Sequence, residues 1–159
     1  MIQLRRIDSS NIWKVIKLSV KEEQTNFVAT NTGSILEAYS TIIDGNVALP
    51  FGIYNENCLV GFVMFGYDTV DGEDDPAIAI NNYCIWRFMI DKDYQGKGLG
   101  KEALQVALEY LRSEPCGKAK YCWLSYEPEN MVAKALYTSM GFHENGEMCG
   151  EEVVSVLKL

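Results

Sequence analysis

Residues that bind metals or pair as disulfides are scarce in this chain. His143 is the one histidine in 159 residues, and the five cysteines (Cys58, Cys84, Cys116, Cys122, Cys149) are odd in number and include no C-x-x-C pair. Metal chemistry and a disulfide framework are therefore not expected, and the cysteines read as reduced thiols buried in strands. Cys84 falls on a central strand, but nothing beside it in sequence activates a thiol. Apolar runs are far shorter than the roughly 20 residues of a membrane helix. Met1 to Val20 is interrupted by Arg5, Arg6, Asp8, Lys14 and Lys17, so it lacks the apolar core of a signal peptide. The expectation is a cytoplasmic protein with no membrane partner. Positive charge is short too: 14 Lys and Arg stand against 22 Asp and Glu, for a net charge of −8. That disfavours nucleic acid, whose phosphates want a basic face. It suits a cationic substrate, although acidity also serves solubility alone. Repeats, low-complexity tracts and interdomain linkers are missing, so residues 1–159 are expected to form a single domain with a sizeable core.

What is present is concentrated between Trp86 and Leu111. An apolar segment (Ile85, Phe88, Met89, Ile90) ends at Asp91, a polar loop follows, and Gly96, Gly98 and Gly100 come next. Ala103, Leu104, Ala107, Leu108 and Leu111 then mark one face of an amphipathic helix. Strand, glycine-rich turn and helix in that order build an anion site, because glycines let the backbone approach closely and the first helical turn offers unpaired N–H groups. A Walker A loop is excluded, since Lys97 and Lys101 are followed by Gly98 and Glu102. Gly98, Gly100 and Ala103 do match the dinucleotide form G-x-G-x-x-A. That fingerprint, however, should begin where its strand stops, and here Asp91 to Lys97 intervene. The acid expected about 20 residues on is also absent at that offset, Glu127 being too distant.

Gln95-Gly96-Lys97-Gly98-Leu99-Gly100 resembles the acetyl-CoA pyrophosphate loop of GNAT-type N-acetyltransferases, Gln/Arg-x-x-Gly-x-Gly/Ala. Downstream, Leu136-Tyr137-Thr138-Ser139-Met140-Gly141-Phe142, with Asn130 seven residues before the tyrosine, is similar to the same family's Asn…Leu-Tyr-x-x-x-Gly-Phe segment. Both pieces in the right order make a specific signal. Gly61-Phe62 also resembles part of a family strand.

The rest of the chain reads as follows. Ile2, Leu4 and Ile7 suggest a first strand, and Asp8, Ser9 and Ser10 are N-cap candidates. Ile12, Val15, Ile16 and Val20 predict a helix running to about Thr25, which would place Glu22 and Glu23 at its C-terminal end. Carboxylates are misplaced there relative to the dipole, which leaves a solvated end or a cationic ligand as readings. Ser34 and Glu37 fit a capping box for a second helix through Ile43, with Leu36, Tyr39, Ile42 and Ile43 as its apolar face. Pro50–Tyr54 and Leu59–Tyr67 form a hairpin signal. Asp68, Asp71, Glu73, Asp74 and Asp75 make a solvated loop or an acidic rim for a polycation. Ala77–Ile90 and Ala119–Tyr126 read as strands. A helix opens at Pro128 and Asn130, with Ala133, Leu136, Tyr137 and Met140 on one face, and stops at Gly141. Two strands around Gly150 close the chain. The order β-α-α-β-β-β-α-β-α-β-β is that of the resembled fold, an α/β (α+β) GNAT acyl-CoA N-acyltransferase fold. Its mixed central sheet has about seven strands flanked by about four helices.

The resemblance implies acetyl-CoA as co-substrate and no metal. The cofactor would be held by the edge of Phe88, Met89 and Ile90, by the loop Gln95, Gly96, Lys97, Gly98, Leu99, Gly100 and Lys101, and by Asn130. Strand-edge recognition is main-chain recognition, so residue identity there matters little. Tyr137 would protonate the leaving thiolate, since a phenol with a pKa near 10 can donate at neutral pH without being ionised. No carboxylate stands in Tyr83-Cys84-Ile85-Trp86 to act as general base, which leaves a water chain ending at Glu22, Glu23 or another acid. His143 reads as a surface residue. Glu-Gln before Asn-Phe-Val, and Trp-Arg-Phe-Met-Ile-Asp before Tyr-Gln-Gly-Lys-Gly, are similar to bacterial spermine/spermidine (diamine) acetyltransferases. This implies a polyamine held by Glu22, Glu23 and the ring of Trp86. Another amine (an aminoglycoside, an amino acid, a protein N-terminus) stays open, as does an acyl-CoA sensor. So does a homodimer, for which the closing strands are the first place to look.

Overall fold

The computed structural model describes residues 1–70, 72 and 74–159. Asp71 and Glu73 of the acidic run lie outside the described residues. Among the described residues seven strands form one sheet: β1 (Ile2–Arg6), β2 (Val47–Asn55), β3 (Cys58–Tyr67), β4 (Tyr83–Ile90), β5 (Tyr121–Tyr126), β6 (His143–Cys149) and β7 (Glu152–Lys158). Their spatial order is β1-β2-β3-β4-β5-β7-β6. The β4–β5 pair is parallel and the other pairs are antiparallel, so the sheet is mixed, as expected. Among the described residues four α-helices accompany it: α1 (Ile12–Val15), α2 (Asn31–Ile43), α3 (Leu99–Arg112) and α4 (Met131–Ser139). No described helix is long and apolar enough to cross a membrane.

Alternation along the strands sorts side chains to two faces. Val63, Phe65, Tyr83, Ile85, Cys122 and Leu124 pack in the core that includes the inner face of α3. Ala103, Leu104, Ala107, Leu108 and Leu111 of that helix are each 2% exposed or less. Burying each leucine stabilises the fold by roughly 1.5–3 kcal/mol. Phe62, Met64 and Met89 face the other way and meet Val15 of α1 and Ala38 of α2.

Several elements differ from their expected bounds. The first helix ends at Val15, and Glu22–Gln24 form a separate 3-10 turn with Glu22 and Glu23 at its start, so the misplaced-charge argument no longer applies. The cause is long-range: Ser19 N–H donates to Asp91 Oδ2 at 2.9 Å and Ser19 C=O accepts from Lys92 N–H at 2.9 Å, drawing the chain off the helical path. Helix α2 begins earlier, with Thr30 Oγ1 accepting from Gly33 N–H at 3.1 Å, so Ser34 and Glu37 sit inside it and form no capping box. Leu36, Tyr39, Ile42 and Ile43 are all more than half exposed. The face turned inward carries Asn31, Ser34 and Ala38 instead. β4 starts only at Tyr83, after a 3-10 turn at Ala77–Ala79. Of the five free thiols only Cys84 and Cys122 are buried; Cys58 and Cys116 are exposed.

Candidate active site

The parallel ladder between β4 and β5 holds only at Tyr83↔Cys122 and Cys84↔Trp123. Beyond it the two strands diverge, and a cavity of about 710 Å³ opens between them. A bulge on β4 shapes one wall. Met64 pairs with Arg87 but Phe65 pairs with Ile85, so Trp86 is an extra residue. Strict alternation from Ile85 would drive Arg87 into the α3-side core. With one residue inserted, Phe88 and Ile90 take that side, while Arg87 turns toward α2. There its guanidinium meets Glu37 Oε2 at 2.8 Å, and it donates to Trp86 C=O at 3.0 Å.

The glycine loop closes one end. Asp91 is 7% exposed and its carboxylate accepts from Ser19 N–H and Asp93 N–H, which fixes the turn out of β4. Gly96 (φ 76°) and Gly98 (φ 78°) adopt the left-handed conformation that glycine tolerates without strain, and Gly98 caps α3. Gln95 Nε2 donates to Ile90 C=O at 3.0 Å and to Gln24 Oε1 at 2.8 Å. The loop is thereby tied to the 3-10 turn across the cavity. Gln95, Gly96 and Gly100 line the cavity, as do Phe88, Met89, Ile90, Trp86, Asn130 and Tyr137. Lys97, Gly98, Leu99 and Lys101 do not. Leu99 packs into the core, and Lys97 Nζ donates to Asp93 C=O at 2.9 Å. Asn130 is the N-cap of α4, its Oδ1 accepting from Ala133 N–H at 3.2 Å.

Tyr137 projects from α4, between the rings of Tyr126 and Phe142, each with its centroid 5.9 Å away. It is 8% exposed and lines the cavity. Burial, then the charges of Cys122, Glu152 and Tyr126, push its phenol well above the ordinary value. Such a group holds its proton through the neutral range, so an uncharged O–H stays available to hydrogen-bond a developing anion. Cys84 also lines the cavity, but burial pushes its thiol up to about 11, which leaves it protonated and a poor nucleophile.

Glu22 and Glu23 do not line the cavity; their neighbour Gln24 does, followed by Thr25 to Ala29. Trp86 is in the wall, although Arg87 Cζ already lies 5.8 Å from its ring centroid. His143 is exposed on β6 and away from the cavity wall, in line with the surface reading. Sequence reasoning missed Trp123, Ser125, Cys149 and Glu152, which β5, β6 and β7 bring to one side of the opening. Ser125 Oγ donates to Glu152 Oε2. The indole Nε1 of Trp123 is buried with no hydrogen-bond partner among the described residues. The available signal was the alternation of β5 and β7, but it needs the β5–β7 register, which local sequence does not contain.

The sequence profile of the Acetyltransferase (GNAT) family matches residues 13–142. The Spermine/spermidine N(1)-acetyltransferase of Bacillus subtilis (strain 168) is 32% identical over 157 residues, covering 96% of each chain. In overall shape the chain is similar to aminoglycoside acetyltransferase AAC(6')-Ib in complex with coenzyme A (TM-score 0.80, 15% identity, 99% of this chain and 95% of that one). It is also similar to the PaiA N-acetyltransferase of Thermoplasma acidophilum in complex with coenzyme A (TM-score 0.68, 16% identity, 100% and 99% of the two chains). At such identities these two structures speak for the fold.

Proposed function

This chain belongs to the Acetyltransferase (GNAT) family and is an acetyl-CoA-dependent N-acetyltransferase of an amine, and from that premise we propose that the amine is a small polycation, with a polyamine such as spermidine or spermine as the first reading. Residues 1–159 act as one catalytic domain in this reading. The observation that carries it is the opening between β4 and β5, which joins a bare strand edge to a wall bearing carboxylates. On the β5 side, Arg87 to Ile90 have no paired strand, so Phe88, Met89 and Ile90 can take the amides of a pantetheine arm as an added strand. The N-terminus of α3, reached through Gly96 and Gly98, presents its first-turn N–H groups to the pyrophosphate. Lys97 and Lys101 supply positive charge beside it, and Asn130 holds the arm from α4. The cofactor supplies an activated acetyl thioester. Tyr137 keeps a proton on Oη for the departing thiolate. Of the residues implied by resemblance, Trp86 offers its indole to a cation, and Glu22 and Glu23 act at the mouth rather than in the wall. Wall carboxylates come from Asp75 and Glu152.

A hydroxyl-bearing amine such as an aminoglycoside is the second reading. The unsatisfied indole N–H of Trp123 favours it, because a polyamine with every nitrogen charged offers no acceptor. The test is thiol release from acetyl-CoA with spermidine, spermine, an aminoglycoside and an amino-acid amide in parallel. Saturable turnover with polyamines supports the first reading, and turnover confined to the aminoglycoside supports the second. Turnover with neither sinks the polycation class. Tyr137→Phe is expected to lower kcat by about 10²–10⁴-fold without weakening acetyl-CoA binding, the range of a lost general acid. An unchanged kcat removes Tyr137 from the chemistry.

A further inference from the structure

We propose that Glu152, held by Ser125, is the specificity residue that anchors a second ammonium of the acceptor while its neighbouring amine reacts. The inference rests on the polycation reading above and names the group that enforces it.

Glu152 opens β7, and β7 pairs with β5 through Tyr126↔Val153 and Ser125↔Val154. That register puts Ser125 and Glu152 on one face and Tyr126 on the other. Ser125 Oγ donates to Glu152 Oε2, which fixes the carboxylate without neutralising it. Oε1 accepts from no described residue. The side chain is half-buried and lines the cavity. Arg87, the cation in that wall, is engaged by Glu37. A negative group in the cavity wall, oriented by a hydroxyl and lacking a protein cation, is what a bound ammonium completes.

The same wall holds a second polar group without a partner. Trp123, 6% exposed and on the same face of β5, carries the unpartnered indole N–H, which an acceptor atom of the substrate, and not an ammonium, would complete. Tyr137, the proposed proton donor, lines the same cavity from α4. Tyr126 bridges them: it follows Ser125 in the chain, and its ring centroid lies 5.9 Å from that of Tyr137. The anchor and the reacting end therefore share one cavity from opposite faces of the diverging strands. A diamine has a second ammonium to present to Glu152 while its other nitrogen reacts, and a monoamine has none.

The experiment compares 1,3-diaminopropane with propylamine, and spermidine where turnover is higher, in wild type, Glu152→Gln and Glu152→Asp. Glutamine keeps the shape and the bond from Ser125 but drops the charge. The expected result is a rise of about tenfold or more in KM for the diamine, the scale of one charged hydrogen bond. The wild-type preference for diamine over monoamine falls toward unity, acetyl-CoA binding by calorimetry is unchanged, and Glu152→Asp recovers part of the preference. A diamine preference that survives in Glu152→Gln overturns the anchor and leaves the polycation reading intact. Wild type that prefers the monoamine, or turns over no polycation, overturns both. Loss of acetyl-CoA binding in Glu152→Gln and Glu152→Asp alike assigns Glu152 a structural role and also overturns the anchor.

Discussion

Tyr137 and Asp91 show two opposite uses of burial. In Tyr137 the low-dielectric surroundings and nearby negative charge disfavour the phenolate, so its pKa lies above the ordinary value. The sign follows directly: the proton-bearing form persists as pH rises, and any loss of kcat through ionisation of Tyr137 falls above about pH 10. The kcat profile of wild type is expected to stay level on its alkaline side up to that point. In Glu152→Gln, one of the charges that raise the phenol is gone, and the limb moves to lower pH. A wild-type limb near pH 8 would assign the loss to another group. Asp91, by contrast, is buried as an acceptor for two backbone N–H groups, those of Ser19 at 2.9 Å and Asp93 at 3.1 Å. Asp91→Ala leaves both donors unsatisfied and is expected to cost roughly 1–3 kcal/mol for each that stays buried. Urea unfolding reads this, and Asp91→Asn, which keeps one acceptor oxygen, recovers part of it.

Among the elements, β4 does the most to place the site, through its bulge at Trp86, its divergence from β5 and its close approach to β3. At Gly61 that approach leaves no room, since a Cβ would stand 2.4 Å from Met89 C=O. Gly61→Ala therefore has to displace the end of β4 that the pantetheine arm would pair with. Its expected effect is a loss of about 1–3 kcal/mol of stability together with a raised KM for acetyl-CoA. A variant with wild-type stability and KM would show that β4 yields freely. The apolar face of helix α3 was legible in the sequence from Ala103 on, because those five positions keep the helical period and all face the core; its first turn, from Leu99, read as loop. The Gly141 stop (φ 94°), which only a glycine-type conformation explains, was legible too. Helix α1 was not, because its end is set by the hydrogen bonds of Ser19 to Asp91 and Lys92, far along the chain. For α2 the misreading was one of face. Asn31 Nδ2 reaches Val15 C=O at 2.9 Å and Ser34 and Ala38 pack inward, so a polar and small face is the buried one. Leu36→Gln and Ile43→Gln are accordingly expected to change stability by no more than about 0.5 kcal/mol. A larger loss in thermal or urea unfolding would restore them to a core. The glycine loop proposed for the cofactor was readable as a local pattern; Ser125 and Glu152 were not, since their meeting depends on the pairing of β5 with β7 rather than with β6.

At the scale of the whole molecule the proposed polycationic amine and acetyl-CoA carry opposite charge, and the net charge of −8 acts on them in opposite directions. A polycationic amine is drawn toward an acidic surface, whereas the phosphates of acetyl-CoA approach against the overall field and, in the proposed binding mode, meet favourable charge locally at the start of α3. Added salt screens the long-range part of both interactions, over about 10 Å at 0.1 M. Raising ionic strength from about 0.02 to 0.3 M should therefore lower kcat/KM for a polycationic amine, while kcat/KM for acetyl-CoA holds or rises. The contrast separates global from local charge. If the anchor at Glu152 governs the amine, Glu152→Gln lowers kcat/KM at every salt concentration but keeps most of the slope, because seven of the eight units of net charge remain after one is removed. A slope abolished by that one substitution would place the whole electrostatic attraction at the anchor, and parallel slopes for amine and acetyl-CoA would count against any role for the acidic surface in drawing in substrate.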